Sequence, residues 1–218
     1  LVSGLGSSAG IESVSKGSSD IGTSSRELKD AELELGLADT PVAFDAIAVI
    51  VHPDNPVQEL TTMQVRAIFA GVITNWSEVG GPDMEIGLVN RDEASGTREA
   101  FNKIVMDDAQ FDRGAVVLPG TGQVRAVVAQ VEGAIGYISL GFVNDEVKPV
   151  AIDGVEPSEE TVVSGAYPIQ RTLHFFTKGE ISEAANAYIE YVLSPEVQDV
   201  IVREAGFIPI TAKEVSGD

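Results

Sequence analysis

The run VNRDEASGTREAF, residues 89–101, sets one arginine and a group of small polar residues directly before a helical pattern. Val89 and the IGL before it have the apolar character of a strand, and TREAFNKIV has the spacing of an amphipathic helix. Between them lie Arg91 and then Ser95, Gly96 and Thr97. Two hydroxyls, a flexible backbone and the free N–H groups of a helix start are the donors of an oxyanion site. Arg91 adds a charged, two-pronged donor. The plainer alternative is an arginine that only pairs with Asp92 or Glu93 at the surface.

Two more stretches carry similar chemistry. GSSAGIESV puts Ser7 and Ser8 at a loop and first helical turn, and DIGTSSRELKD, residues 20–30, ends a short strand with Thr23, Ser24, Ser25 and Arg26. The first ten residues also fit two short motifs. Gly4 to Ala9 matches the dinucleotide pattern G-x-G-x-x-G/A, but only two apolar residues precede it and the helix after it is short, whereas the motif needs a full strand. Gly6 to Gly10 matches the nucleophile elbow G-x-S-x-G, which needs a triad histidine. His174 alone comes late enough, within the strand-like TLHFF. A serine hydrolase or phosphatase using Ser7 or Ser8 is the reading from another class, and a simple serine helix cap is the bland one.

The chain has 218 residues, enough for one large domain or two small lobes, and it lacks cysteine, which excludes disulfides and thiolate metal sites. Its two histidines offer no metal cluster. With 34 acidic and 14 basic residues the net charge is −20, which argues against nucleic acid and anionic membrane surfaces as partners. An anion site on such a chain must win locally, through directed N–H groups and arginine.

Strands alternate with helices along the sequence, the pattern of an α/β fold. VAFDAIAVIVHP (42–53) reads as a buried strand, TTMQVRAIFAG (61–71) as a helix with a Thr cap, and MEIGLVN as a short strand before the helix GTREAFNKIVMD. GQVRAVVAQVEG is a further helix, AIGYISLGF and VKPVAI are strands, and YPIQRTLHFFTK (167–178) is a long extended segment. SEAANAYIEYVLSPEVQDVIVREAG holds two helical stretches broken near Pro195. If the two long extended segments both cross between lobes, the middle of the chain forms one lobe and the two ends form the other.

GSSAGI, SDIGTSSRELKD, IFAGVITNWSEVGG, NRDEASGTREAF, GAIGYISLGF, YPIQRTLHFFTKG and YVLSPEVQDVIVREAGFIPI together span residues 6 to 210. In these segments the chain resembles the extracytoplasmic phosphate-binding proteins of phosphate ABC transporters. The resemblance implies a two-lobe periplasmic-binding-protein type II fold with a ligand cleft, lobe I from 1–50 plus 172–218 and lobe II from 51–171. It implies inorganic phosphate as ligand, a membrane ABC permease as partner, no cofactor and no catalysis. The location it implies is periplasmic or cell-surface, with a lipid-anchored precursor allowed.

Ser7, Arg91, Ser95, Gly96 and Thr97 stand where the family binds phosphate, and Ser25 stands where some members have an aspartate that reads the ligand's proton. Ser8 and Arg26, beside them, join the expected ligand set. Without that aspartate, sulfate is expected to be rejected less strongly, so another tetrahedral oxyanion is the alternative ligand. Two departures accompany the resemblance. The family's first strand, its GSTT-like loop and the helix after it precede the segment that opens here, so lobe I is expected to be N-terminally incomplete. Ala94 replaces a glycine common before SGT.

Overall fold

The structure is a computed structural model that describes residues 7–93, 95–107 and 109–211; Gly4 and Gly6 of the short motifs, and Ala94, lie outside the described residues. The chain runs through α1 (Ser7–Ser15), β1 (Gly22–Ser24), α2 (Asp30–Leu33), β2 (Leu37–Val51), β3 (Glu59–Leu60), α3 (Thr62–Phe69), β4 (Gly87–Arg91) and α4 (Gly96–Phe101). It continues through β5 (Val116–Leu118), α5 (Thr121–Gln130), β6 (Ala134–Ser139), β7 (Lys148–Pro149), β8 (Ala151–Ile152) and α6 (Glu159–Val163). The last elements are β9 (Gln170–Lys178), α7 (Glu183–Leu193) and β10 (Ile208–Pro209). Two compact units result: unit 1 from Leu1–Asp45 with Arg171–Asp218, and unit 2 from Ala46–Gln170. The elements form a mixed α/β fold, as the alternation of strands and helices predicts.

Unit 2 is built on a mixed sheet. Residues 47–51 of β2 pair antiparallel with β6, which runs parallel to β4, which runs parallel to β5. Strand alternation sorts the side chains to two faces. On one face Val124 and Val128 of α5 pack on Ala48, Ile50, Val89, Ala134 and Ile138. Gly136 permits that approach, because a Cβ there would lie 2.8 Å from Val124. The other face carries Tyr137, stacked on Phe101 at 4.0 Å, with Phe69 set edge-on to both. Each of these rings is fully buried, a contribution of about 1.5–3 kcal/mol apiece.

Unit 1 rests on a helix-to-strand contact that only glycine allows. A Cβ on Gly10 of α1 would meet the Thr23 carbonyl oxygen at 2.4 Å, and one on Gly22 of β1 would meet the Gly10 oxygen at 2.4 Å. The last glycine of the GSSAG run, Gly10, therefore serves close packing. Ile11 and Val14 of α1 form the core with Phe176 of β9, closed by Leu28, Leu35 and Leu37. β1 pairs antiparallel with β9, placing Ser24 opposite His174, and β10 pairs antiparallel with β2 at Phe44. Buried Asp45 accepts from Arg171 Nη2 at 3.0 Å, tying the two chain segments of this unit at its boundary residues.

Two sequence expectations shift, and one strand appears that the sequence does not mark. The strand expected over 42–53 is β2, which begins at Leu37 and so runs through Pro41. Of MEIGLVN only Gly87 onward joins the sheet, because Met84 and Ile86 bond instead to the Thr74–Trp76 segment through Trp76 N–H to Met84 O and Ile86 N–H to Thr74 O. β5 was not foreseen: its Val116 and Val117 are more than half exposed at 53% and 57%, so no buried alternation marks it.

Candidate functional site

The donors of unit 2 sit where β4 ends and α4 begins. The turn between them is closed by Ser95 N–H donating to Asp92 O at 3.2 Å, and Asp92 N–H donates to Leu118 O at 3.2 Å. Ser95 caps α4: its hydroxyl oxygen accepts the Arg98 N–H at 3.2 Å. The N–H groups of Gly96 and Thr97 open the helix, where no carbonyl a turn earlier in the helix can take them. Gly96 is exposed, and a Cβ built on it meets nothing within 4 Å. The backbone there faces open space, which an anion can approach closely.

Arg91, the last residue of β4, is 9% exposed. Its Nη1 donates to Thr121 Oγ1 and its Nη2 to Pro119 O, both at 3.0 Å. A guanidinium has five N–H hydrogens. Among the described residues the buried Nε–H has no partner, and each Nη keeps one hydrogen. Among the described residues no carboxylate pairs with Arg91; Glu93, one of its candidate surface partners, lies 3.9 Å from Arg98 instead.

A polar network fixes the backbone beneath this arginine. Asn90 Oδ1 accepts the Arg91 N–H at 2.8 Å and also the Tyr137 hydroxyl. Burial pushes the Tyr137 hydroxyl above the ordinary phenol range, so it stays protonated and donates. Both partners are buried, and truncating Asn90 removes the acceptor of the Tyr137 hydroxyl, which typically costs about 1–3 kcal/mol.

The donors of unit 1 gather where α1 meets β1. Ser7 Oγ accepts the Ser25 N–H at 3.0 Å and lies 3.2 Å from Ser25 Oγ, with either hydroxyl able to donate. The Gly10–Gly22 contact makes this meeting possible. Ser24 closes the turn locally, donating to Arg26 O at 2.7 Å and accepting the Arg26 N–H at 3.2 Å. Arg26 is engaged by Glu32 through both Nη atoms, at 2.7 and 2.9 Å, and its Nη2 also reaches Ser8 Oγ at 3.2 Å. The Arg26 guanidinium, with help from the Lys29 N–H, holds the Glu32 carboxyl down at about 2.

Ser7 and Ser25 thus meet, as do Ser8 and Arg26, while Arg91 and the 95–97 turn share one strand-to-helix junction. Glu32, Asn90, Thr121 and Tyr137 support these donors and were not foreseen. An asparagine directly before the arginine in an otherwise apolar strand was the available signal for Asn90. The hydrolase arrangement does not assemble around Ser7 or Ser8. His174 Nδ1 is 2.8 Å from Asp39 Oδ1, but among the described residues its buried Nε2 has no partner, and neither serine is bonded to it.

Residues 1–196 match the family model of the PBP superfamily domain. The phosphate-binding protein PstS of Bacillus subtilis (strain 168) is 37% identical over 216 residues, covering 98% of this chain and 72% of that protein. Among solved structures, a Clostridium perfringens substrate-binding protein with bound phosphate is 40% identical, with a TM-score of 0.71 over 94% of this chain and 85% of that one. PstS from Borrelia burgdorferi is 30% identical, with a TM-score of 0.84 over 96% and 86% of the two chains.

Proposed function

Since the chain belongs to the phosphate-binding proteins of the PBP superfamily, we infer that it captures inorganic phosphate for import by an ABC transporter. The carrying observation is Arg91: a buried guanidinium with three N–H hydrogens unspent and no carboxylate bonded to it among the described residues. It lies at the junction that also presents the Gly96 and Thr97 N–H groups and two hydroxyls. We assign Arg91, Ser95, Gly96 and Thr97 of unit 2 to phosphate, together with Ser7, Ser8 and Ser25 of unit 1; Arg26 stands with Ser8. Charge-assisted hydrogen bonds contribute about 1.5–3 kcal/mol each, and a micromolar complex needs about 8 kcal/mol net. Several such bonds, led by a two-pronged contact from Arg91, supply that scale after association costs.

The chain works by binding alone: the assigned residues are donors, and no base is hydrogen-bonded to a nucleophile in either donor set. The two units are the family's two lobes. Its partner is the membrane permease of the transporter, and its place is outside the cytoplasm. Among the described residues no helix is long and apolar enough to cross a membrane.

Isothermal titration of the purified chain with inorganic phosphate tests the reading. Saturable 1:1 binding supports it, and the absence of any binding isotherm at millimolar phosphate overturns it. Incubation with chromogenic phosphate and acyl esters tests the second half: turnover that disappears in Ser8→Ala would make the chain a hydrolase.

A further inference from the structure

Arg26 reads in the sequence as a phosphate ligand, yet its guanidinium is already committed. Nη1 donates to Glu32 Oε2 at 2.7 Å and to Glu27 O at 2.8 Å, and Nη2 donates to Glu32 Oε1 at 2.9 Å. Two parallel N–H bonds to one carboxylate form the strong, directional fork that arginine makes best. Glu32 is itself anchored, since its Oε2 also accepts the Lys29 N–H at 2.8 Å. Both side chains are shielded, at 24% and 20% exposure, so the pair is more than a loose surface contact. The remaining Nη2 hydrogen reaches Ser8 Oγ at 3.2 Å. Arginine has no acceptor, so in this contact the serine oxygen must accept and its own O–H must point elsewhere.

We propose that Glu32 is a positioning residue for the unit 1 donor set: it neutralises Arg26, holds it off the anion, and through it turns the Ser8 hydroxyl into a dedicated donor. The proposal rests on the phosphate assignment above. It makes unit 1 a source of neutral hydroxyl and amide donors and leaves Arg91 as the assigned cation. It also explains how a chain with net charge −20 can place a carboxylate beside an anion-binding turn, because that carboxylate is spent on Arg26.

The test is a double-mutant cycle read by calorimetry with inorganic phosphate. Glu32→Gln keeps the shape of the side chain but removes the charge that holds the fork, so phosphate affinity should fall about three- to tenfold, or about 0.7–1.4 kcal/mol. In the Ser8→Ala background the same change should have no further effect. Arg26→Ala combined with Glu32→Gln, made as a second route to the same loss that leaves no unpaired carboxylate, should reproduce both results. A purely structural role would lower affinity by the same factor with or without Ser8, and that additivity would overturn the proposal. So would unchanged affinity in Glu32→Gln. A rise in affinity would overturn it in the other direction, making Arg26 a ligand that Glu32 withholds. Failure of the unmodified chain to bind phosphate is a separate result, read before any variant is made, and it removes the phosphate assignment instead.

Discussion

The end of β1 and the end of β4 carry much the same residues: a short strand, an arginine, and serine or threonine beside a helix start. In unit 2 the arginine is part of the strand and buried, and among the described residues its guanidinium is bonded only to a threonine hydroxyl and a proline carbonyl. In unit 1 the arginine follows the hydroxyls into a loop, where Glu32 takes both of its Nη atoms. Position relative to the strand decides the difference. With 34 acidic side chains in the molecule, an exposed arginine readily acquires a carboxylate, and keeping one available for a ligand requires burying it among neutral acceptors. Residue type and spacing alone do not separate a ligand arginine from a scaffold arginine.

The largest effect should come from removing the uncommitted cation. Arg91→Ala is expected to weaken phosphate binding at least a hundredfold, since two charge-assisted bonds at about 1.5–3 kcal/mol each are lost. Calorimetry reads the loss, and circular dichroism checks that the fold persists. If Arg26→Ala matched Arg91→Ala in size, the two arginines would be equivalent and the contrast between the units would collapse.

Gly96→Ala comes next, and it separates binding from folding. The added Cβ meets no protein atom within 4 Å, so the melting temperature should be unchanged. The methyl group would nevertheless intrude where the anion approaches the backbone, and phosphate affinity should fall by roughly 1–3 kcal/mol, the scale of a buried donor left unmet. An unaltered affinity would make the Ser95–Thr97 turn a helix cap and nothing more. Thr97→Val removes one hydroxyl at constant shape, and about a tenfold loss is expected, or ~1.4 kcal/mol.

How much of this was legible in the sequence follows from what each feature depends on. The α/β alternation, the Thr61 cap of α3 and the strand-to-helix junction at Arg91 are local patterns, and they read directly. The donor residues Ser7 and Ser25 could be named individually, but their meeting depends on Gly10 and Gly22 lying against each other's backbones, 12 residues apart in sequence. Tyr137 on β6 and Thr121 at the start of α5 support Arg91 and its neighbour Asn90 from positions distant in sequence, and no local signal marks them. Glu32 reads as an ordinary acidic residue in the first turn of α2, and only the fold reveals that it faces Arg26.

The smallest effect expected is that of pH on phosphate affinity between about pH 5 and 8. A carboxylate at Ser25 would demand a proton from the ligand, and affinity would then follow phosphate ionisation. The hydroxyl pair Ser7–Ser25, 3.2 Å apart with its N–H bond to Ser7 Oγ, can reverse direction. If Ser7 donates to Ser25, the Ser25 O–H is free to donate to an ionised oxygen. If Ser25 donates to Ser7, the Ser25 oxygen can accept from a protonated one. The supporting ion pair does not titrate in this window either. Glu32 is held at about 2, below its ordinary value, so its stabilising contribution is whole above the unfolded carboxylate range near pH 4.3. That contribution is lost only as pH falls through the lowered folded value. Phosphate affinity should therefore change by no more than about threefold, under 1 kcal/mol, and sulfate should compete measurably at both ends of the range. Ser25→Asp should sharpen both responses, because a carboxylate against a fully ionised anion is repulsive. Competition calorimetry with the two anions decides: a thousandfold rejection of sulfate by the unmodified chain would mean that another carboxylate already reads the proton, and the adaptable serine pair would lose its role.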